Sequence, residues 1–346
     1  MAPPRRKRYR GTHPRRFDEK YKELAPERHP GEVAKVIARG QTPAGSHLPV
    51  MLPQVIEALR PSPGGIAIDC TLGHGGHAEA IAARIAPEGL LLGLDLDGEA
   101  LAGTARRLGA KGIGIRTHHM SFAGIGKALR AEGLESADLV LADLGASSMQ
   151  IDDPARGFSF KRDGPLDMRM DRSRGATAAE WLAAVGEGEL AQWLASAGEE
   201  ADAPRIATTV HAAAAARLVK TTKDLVRIVL EAKGLAPRHR RASSFDLHPA
   251  ARTFQAIRTA VNREEEGLRQ LLRVLPYVLR PSGRVAIICF HSGEEQVVAK
   301  AFAEGAAAGL YGRAPGQPLR PTRREVQQNP RARSARLHWA ERSSRL

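Results

Sequence analysis

The chain has 346 residues, of which 42% are hydrophobic, and its formal net charge is +14. This apolar content suffices for a sizeable buried core and excludes a wholly disordered chain. No apolar run approaches the roughly 20 residues that a membrane-spanning helix needs, and no apolar segment of the secretory type follows the basic start. The two cysteines, Cys70 and Cys289, are too few for a disulfide scaffold, so we expect a reducing, cytoplasmic setting.

The positive charge is concentrated at the two ends of the chain. Residues 1–40 contain 12 basic and 5 acidic side chains, residues 313–346 contain 9 and 2, and each end therefore carries +7. The middle of the chain contains 31 of each sign. This distribution predicts a neutral globular body with basic ends, which either bind a polyanion or serve only as solvated tails. We predict that residues 1–45, rich in Arg, Pro and Gly, form a disordered basic arm.

From residue 46 onwards, apolar strands alternate with amphipathic helices. In chain order we predict a helix at 50–59, a strand at 66–69, a helix at 78–85, a strand at 90–95, a helix at 98–108, a strand at 113–117, a helix at 122–131 and a strand at 139–143. Continuous apolar strands separated by helices indicate an α/β fold with a mostly parallel sheet covered on both faces.

The alternation stops after the fourth strand. Residues 151–245 contain helical patterns, at 178–185 and 218–232, but no convincing strand. A helix at 253–275, a turn at 281–283 and a fifth strand at 285–290 then follow. We therefore predict a core of residues 46–150 and 246–346, interrupted after strand four by a helical insertion at 151–245.

Acidic residues end the first two predicted strands, and a glycine-rich turn follows the first. The turn, Asp69 to His77, opens a helix whose backbone N–H groups would face a ligand. Gly73-x-Gly75-x-x-Ala78 also fits the nicotinamide-dinucleotide pattern. However, Asp69 precedes the first glycine by four residues, which suits the methionine ammonium of S-adenosylmethionine better than a pyrophosphate. Asp95 could accept the ribose hydroxyls of either cofactor.

Two more strand ends carry candidate functional groups. Asp143 ends strand four and is followed by Ser147 and Ser148, and His291 follows strand five. Ligands of open parallel sheets bind beyond the carboxyl ends of the strands, so Asp143 is expected next to the reactive end of a cofactor. A solvated loop acid and a hydrogen-bonded structural histidine are the alternatives for these positions. We see no spacing typical of a metal site.

Several motifs resemble those of the ribosomal RNA small-subunit methyltransferase H family, also called MraW, over about residues 47–342. The resemblance is carried by Asp69–His77, by Asp143–Gly145 with Ser147, Ser148 and Gln150, by the block Asp152–Asp171, and by His248–Ala250, Arg252–Ala256, Phe290–Ser292 and Asn329–Ser334. It implies a class I S-adenosylmethionine-dependent methyltransferase, Rossmann-like with a helical insertion. Its substrate would be the exocyclic N4 of a decoding-site cytidine in 16S ribosomal RNA, within the small ribosomal subunit.

The resemblance also implies which residues form the site. The implied cofactor-binding residues are Gly75, Gly76, His77, Asp95, Phe122, Asp143 and Gln150. Because cytosine N4 is a poor nucleophile, we hypothesise that Asp143 and Ser148, together with His291, orient and polarise the amine. In the usual strand order of this fold, strand four separates strands one and five, so Cys70 and Cys289 would not pair.

The insertion and the C-terminal end are expected to contact RNA. The candidate substrate-binding residues are Phe158, Phe160, Arg162, Arg169, Arg331 and Arg333. Their aromatic rings could stack on splayed bases while the guanidinium groups meet phosphates. In the alternative, both Phe rings only anchor the loop to the core.

Some residues differ from the pattern expected for the family. Ala201–Pro204 stands where a basic–aromatic pair is usual, and Gly293–Glu295 stands where Leu-Glu-Asp is usual. The first difference weakens the expectation of substrate contacts in the insertion, but the cofactor motif is intact and we still expect activity. A methyltransferase-fold RNA-binding protein without turnover and a nicotinamide-dependent oxidoreductase stay open as alternatives. The sequence leaves the oligomeric state undetermined.

The basic arm provides a first test. Deleting residues 1–40 removes a net charge of +7, which would bind RNA whatever its sequence. The deletion should therefore weaken binding to RNA or to small subunits, while cofactor binding stays intact. Filter binding at physiological salt measures the first quantity and calorimetry the second. Equal RNA affinity of the truncated and full-length chains would refute the role of the arm.

Overall fold

A computed structural model describes residues 49–236 and 248–344, so the predicted basic arm at 1–45 lies outside the described residues. The strands are β1 (Ile66–Asp69), β2 (Leu90–Asp95), β3 (Ile115–His119), β4 (Ala137–Asp143), β5 (Leu279–Cys289), β6 (Tyr311–Arg313) and β7 (Arg336–Arg342). The α-helices are α1 (Leu52–Leu59), α2 (Gly76–Ile85), α3 (Gly98–Ala110), α4 (Ile125–Ala131), α5 (Ser148–Asp152), α6 (Ala178–Ala184), α7 (Glu187–Ser196), α8 (Ala203–Ala215), α9 (Thr222–Ala232), α10 (Ala251–Asn262), α11 (Glu264–Val278), α12 (Ser292–Ala307) and α13 (Arg323–Gln328).

The strands form one seven-stranded sheet in the order β3-β2-β1-β4-β5-β7-β6. Strands β1 to β5 are mutually parallel, and β7 pairs antiparallel with both β5 and β6. This is the α/β, mostly parallel, Rossmann-like architecture of class I methyltransferases that the sequence predicted. Strand β4 lies between β1 and β5, and Cys70 and Cys289 are free and buried, as expected.

Both faces of the sheet are covered by helices, which confirms the interpretation of the continuous apolar strands. On one face, Leu92, Val140 and Ile287 pack with residues of α4, α11 and α12. On the other, Leu91 and Leu141 pack with residues of α1, α2 and α3. Successive strand residues point to opposite faces, so a strand buried on both sides needs apolar side chains at almost every position.

A third apolar cluster lies in the helical region after β4. It combines residues of α6 to α9 with Phe254 and Ile257 of α10 and with Phe158 and Leu166 of the preceding loop. Between residues 151 and 236 the structure has these helices and one isolated bridge, between Pro165 and Thr221. The proposed boundaries of the insertion stay a prediction. Within the described ranges, no helix is long and apolar enough to cross a membrane.

Three features differ from the predicted elements. The residues of the turn predicted at 281–283 lie within β5, which begins at Leu279. The single helix expected at 253–275 is two helices, because Arg263 adopts a left-handed conformation with φ of 50° between α10 and α11. The three glutamates that follow Arg263 lie in the first turn of α11, where negative charge favours a new helix start. The C-terminal strands β6 and β7 were not predicted, because β6 has only three residues and β7 has charged residues at both ends and no regular apolar alternation.

The loop between α5 and α6 contains a glycine that packing leaves no room to replace. A Cβ atom at Gly164 would lie 1.9 Å from the carbonyl oxygen of Pro154, whereas a Cβ at Gly186 would meet nothing within 4 Å. We predict that Gly164→Ala lowers the free energy of unfolding by about 3 kcal/mol, because the backbone must shift. The matched control Gly186→Ala should change it by less than about 0.5 kcal/mol. Urea denaturation measures both, and equal stabilities would contradict this packing.

Candidate active site

Three acidic residues meet at one edge of the sheet. Asp69, Asp95 and Asp143 are the last residues of β1, β2 and β4, as the sequence predicted. The strand register pairs Asp69 with Leu141 and with Gly93, so the carboxyl ends of these neighbouring strands lie side by side. We call this the carboxyl edge of the sheet. It is where ligands of open parallel sheets bind.

The glycine-rich turn after β1 places backbone without side chains at the carboxyl edge. Gly73 and Gly75 have φ angles of 46° and 67°, which favour glycine. A Cβ atom at Gly75 would lie 2.7 Å from Thr104 Cγ2, and one at Gly76 would lie 2.5 Å from Pro49 Cγ. Side chains on the turn would therefore collide with neighbouring segments, and the turn keeps a shape in which its backbone can face a ligand.

Asp95 is held by the turn and by the start of α3. Its Oδ2 accepts a hydrogen bond from the Gly73 N–H at 2.7 Å, and its Oδ1 accepts one from the Asp97 N–H at 2.8 Å. Burial raises the pKa of Asp95, although these N–H groups oppose the shift. Each oxygen keeps a further lone pair, so the fixed carboxylate can still accept the two hydroxyls of a ribose.

Asp143 has the least satisfied carboxyl group of the three. Its Oδ1 is buried and has no hydrogen-bond partner among the described residues, and its Oδ2 lies 3.8 Å from His77 Nδ1. Its backbone N–H donates to Thr71 Oγ1 at 2.7 Å, which ties the end of β4 to the glycine-rich turn. Burial, reinforced by the charges of Asp69 and Glu294, raises the pKa of Asp143 to about 8.

Asp69 and His77 complete this electrostatic environment. Burial raises the pKa of Asp69 to about 7, against the Thr71 N–H and with the help of Asp95. Burial also lowers the pKa of His77 to about 4, so its ring is neutral near pH 7. Because His77 Nε2 lies 2.9 Å from the Val50 carbonyl oxygen, it carries the proton, and the Nδ1 lone pair faces Asp143.

Gln150 forms a hydrogen bond with a buried ion pair, Asp97 with Arg156, that the sequence did not indicate. Its Nε2 donates to Asp97 Oδ2 at 2.9 Å, and its Oε1 accepts the Ser147 N–H at 2.8 Å. Arg156, only 6% exposed, donates to the same Asp97 oxygen at 2.7 Å. Its Nη2 also donates to the carbonyls of Arg169 and Met170. The pair joins the loop after α5 to the turn that holds Asp95, and no periodicity in the sequence could have indicated it.

His291 caps α12 and contacts its own helix. The Glu294 N–H donates to His291 Nδ1 at 3.4 Å, and His291 Nε2 lies 3.0 Å from Glu294 Oε1. Burial opposes ionisation of Glu294, but the hydrogen bond and charge of His291 and the N–H of Phe290 lower its pKa. The ionised Glu294 is one of the charges that raise the pKa of Asp143. His291 therefore affects the pKa of Asp143 through the charge of Glu294.

Phe122 and Ser148 flank this edge from opposite sides. Phe122 begins a 3₁₀ turn three residues after His119, whose partner in the strand register is Asp95. The half-buried ring packs against the core beside Gly267, where a Cβ atom would lie 3.2 Å away. Ser148 is half-buried at the first position of α5, and Ser147 caps that helix. Phe122 therefore lies on the Asp95 side and Ser148 on the Asp143 side.

The candidate substrate-binding aromatics lie within the helical cluster. Phe158 is 8% exposed, with the Arg156 guanidinium 5.9 Å from its ring centroid. Phe160 stacks on His248 at 4.6 Å and meets Phe254 edge-on at 5.8 Å. These contacts fit the alternative in which the two rings anchor the loop. Their contact with RNA stays a prediction.

The candidate arginines differ in how far they are already engaged. Arg169 forms a bidentate ion pair with the buried Asp167, and Arg162 donates to the carbonyl of Asp152 at 3.4 Å. Arg331 pairs with the Asp152 carboxylate at 3.1 Å, and Arg333 is exposed. Their role in substrate binding is likewise untested by these contacts.

The structure of the site fits S-adenosylmethionine. The unpartnered Asp143 oxygen and the acidic neighbours Asp69 and Asp95 form a buried cluster of carboxyl groups, and a cationic ligand would stabilise their ionised forms. The glycine-rich turn offers backbone, and Asp95 offers acceptors for a ribose. Among residues 49–236 and 248–344, no cluster of His, Cys, Asp and Glu is arranged to hold a metal ion.

Comparisons with known proteins identify the family of the chain. The chain is 40% identical to ribosomal RNA small subunit methyltransferase H 1 of Lachnoclostridium phytofermentans, over 97% of this chain and 92% of that one. It is also 40% identical to methyltransferase H 2 of Alkaliphilus metalliredigens, over 97% of each chain. The relative from Trichlorobacter lovleyi is 42% identical over 85% of this chain and 97% of its own. The family model that describes the MraW methylases matches residues 44–343, and the chain therefore belongs to the MraW methylase family.

Proposed function

We propose that this S-adenosylmethionine-dependent methyltransferase methylates the exocyclic N4 of a decoding-site cytidine in 16S ribosomal RNA, within the small subunit and in the cytoplasm. The observation that carries the proposal is the buried, unpartnered Oδ1 of Asp143 at the carboxyl edge. Support for the RNA substrate comes from the relatives, which are named as small-subunit ribosomal RNA methyltransferases. Support for N4 comes from the resemblance of the motifs and from the chemistry that follows.

An exocyclic amine needs a hydrogen-bond acceptor at the reacting centre. The lone pair of cytosine N4 is delocalised into the ring, so an N–H bond must be oriented and its proton accepted as the N–CH3 bond forms and the CH3–S bond breaks. S-adenosylmethionine, when bound, supplies the electrophilic methyl group. Asp143 Oδ1, which no described residue engages, accepts the hydrogen bond and then the proton of N4. No covalent enzyme intermediate is required.

The other candidate catalytic residues take different parts. Ser148, at the start of α5 on the Asp143 side, orients the amine through its hydroxyl. His291 uses both ring nitrogens on Glu294, so it acts as a positioning residue. By keeping Glu294 ionised, it helps to hold the pKa of Asp143 high enough for the carboxylate to accept a proton.

The target base must leave its stack to reach a pocket at the carboxyl edge. Arg156 links the loop after α5 to Asp97, whose N–H holds Asp95, so the helical region and the cofactor side of the pocket share one buried ion pair. The helical region would hold the extruded nucleotide beside the site. The basic ends would add affinity that does not depend on sequence.

Methyl transfer by serine variants tests the catalytic assignment. With tritiated S-adenosylmethionine and under-methylated small subunits, the wild type should incorporate methyl groups. Ser148→Ala should keep its cofactor affinity and lose about tenfold or more in turnover, because one orienting hydrogen bond is missing. The matched control Ser196→Ala, on the exposed face of α7, should be unaffected.

Unchanged turnover in Ser148→Ala would remove that residue from the mechanism. Absence of incorporation by the wild type itself would favour the alternative, an RNA-binding protein of the subunit without turnover. The Kd of each variant for S-adenosylmethionine, measured by calorimetry, separates failure of cofactor binding from failure of methyl transfer.

The pKa values of the acidic cluster predict proton release on cofactor binding. In the ligand-free protein, the pKa values of Asp69 and Asp143 are about 7 and about 8, so the pair carries protons at neutral pH. A cationic cofactor favours the ionised forms. Protons should therefore be released, and affinity should rise with pH between about 6 and 8 before it levels off.

Calorimetry at pH 7 in two buffers of different ionisation enthalpy counts the protons. Asp143→Asn should release fewer protons than the wild type, because one of the two coupled carboxyl groups is missing. Equal observed heats in the two buffers would mean that no protons are released, and would contradict the electrostatic description of the site.

A further inference from the structure

The C-terminal residues 320–334, which we call the arginine rim, lie at the carboxyl edge of the sheet. Strand β7 is antiparallel to β5, and its first residue, Arg336, pairs with Cys289, the last residue of β5. The residues that precede β7 must therefore approach it from the edge where the parallel strands end. This is the edge that carries Asp69, Asp95 and Asp143.

Two polar contacts fix the rim on either side of the site. Glu325 Oε1, in α13, accepts the Met51 N–H at 2.5 Å, next to Val50, whose carbonyl contacts His77. Arg331 Nη2 pairs with the Asp152 carboxylate at 3.1 Å, at the end of α5. Ala332 and Ala335 are completely buried. The rim thus runs from the β1 side of the pocket to the β4 side.

The rim is strongly basic while the pocket beside it is acidic. Residues 320–334 contain five arginines and one glutamate, a net charge of +4. Arg320, Arg323 and Arg324 are exposed, and none of them forms an ion pair with another described residue. Exposed arginines of this kind contribute little to folding, so packing does not account for their number.

The acidic cluster and the arginine rim would bind different groups. A cationic cofactor favours the ionised forms of the buried carboxyl groups, and these repel the phosphates of any nucleic acid that brings a base to them. A row of cations at the mouth of the pocket offsets this repulsion and binds the backbone on either side of an extruded nucleotide. Arg331, already paired with Asp152, serves to hold the rim in place.

We infer that the arginine rim is an RNA-docking surface, in which Arg320, Arg323 and Arg324 bind backbone phosphates that flank the target nucleotide. The inference rests on the proposed function for the identity of the RNA. Beyond the proposed function, the inference assigns phosphate binding to three arginines outside the Asn329–Ser334 motif and a positioning role to Arg331.

The test compares two triple variants of equal charge in the full chain. The first is Arg320→Gln/Arg323→Gln/Arg324→Gln. The control is Arg84→Gln/Arg130→Gln/Arg273→Gln, which removes three exposed arginines from α2, α4 and α11. Those helices lead into β2, β4 and β5 and so run toward the opposite edge of the sheet. A third variant, Arg320→Lys/Arg323→Lys/Arg324→Lys, keeps the charge.

Filter binding to a 16S RNA fragment, repeated over a range of salt concentrations, gives the Kd and its salt dependence. The rim variant should bind about 10- to 100-fold more weakly at low salt, and the log–log salt slope should fall by about 2, as for three lost phosphate contacts. The lysine variant should restore most of the affinity. The control variant should bind like the wild type, and calorimetry should give one cofactor Kd for all four proteins.

Equal loss of RNA affinity in the rim and control variants would overturn the inference, because charge anywhere on the surface would then suffice. A lost cofactor affinity in the rim variant would also overturn it, since the rim would then be part of the cofactor pocket. Binding is measured without turnover. A wild type that binds RNA through the rim but transfers no methyl group would therefore refute the proposed function and leave the rim intact.

Discussion

The structure is organised around carboxylates that its own side chains do not neutralise. The parallel order of β1, β2 and β4 brings Asp69, Asp95 and Asp143 to one edge, where burial and mutual repulsion raise their pKa values. Within the described residues, the Asp143 Oδ1 atom has no hydrogen-bond partner. Such an arrangement costs free energy in the ligand-free state, and a cationic ligand offsets that cost on binding. The ionised carboxyl groups of the site are therefore complementary in charge to a cationic cofactor.

A single buried ion pair extends this arrangement to the helical region. Asp97 accepts hydrogen bonds from both Gln150 and Arg156, and its own N–H holds Asp95. Removal of either charge would leave the other buried and unpaired, which typically costs about 3–5 kcal/mol. The segment that carries Arg156 also holds the carbonyl of Met170. The cofactor side of the pocket and the loop that leads to the helices are thus built as one unit.

The sequence predicted the parallel sheet, the strand ends and the acidic cluster because these depend on local patterns: continuous apolar runs, glycines and terminal acids. It did not predict the break at Arg263, because a left-handed residue between two amphipathic helices leaves the apolar periodicity almost unchanged. Strand β7 was missed because charged residues stand at both of its ends and its apolar residues do not alternate regularly. The partners of Asp97, 53 and 59 residues away in the chain, follow only from tertiary structure.

The family membership, established by comparison, makes the nicotinamide-dependent alternative unnecessary.

We propose that this chain modifies one cytidine of 16S ribosomal RNA at N4, with Asp143 at the reacting centre. Mass mapping of the modified nucleotides in ribosomal RNA from a deletion strain tests it most directly. In the deletion strain, one decoding-site cytidine should lack the mass of a single methyl group. The wild-type gene should restore that mass, and a gene encoding Asp143→Ala should not. An unchanged nucleotide map in the deletion strain, or full restoration by Asp143→Ala, would refute this activity.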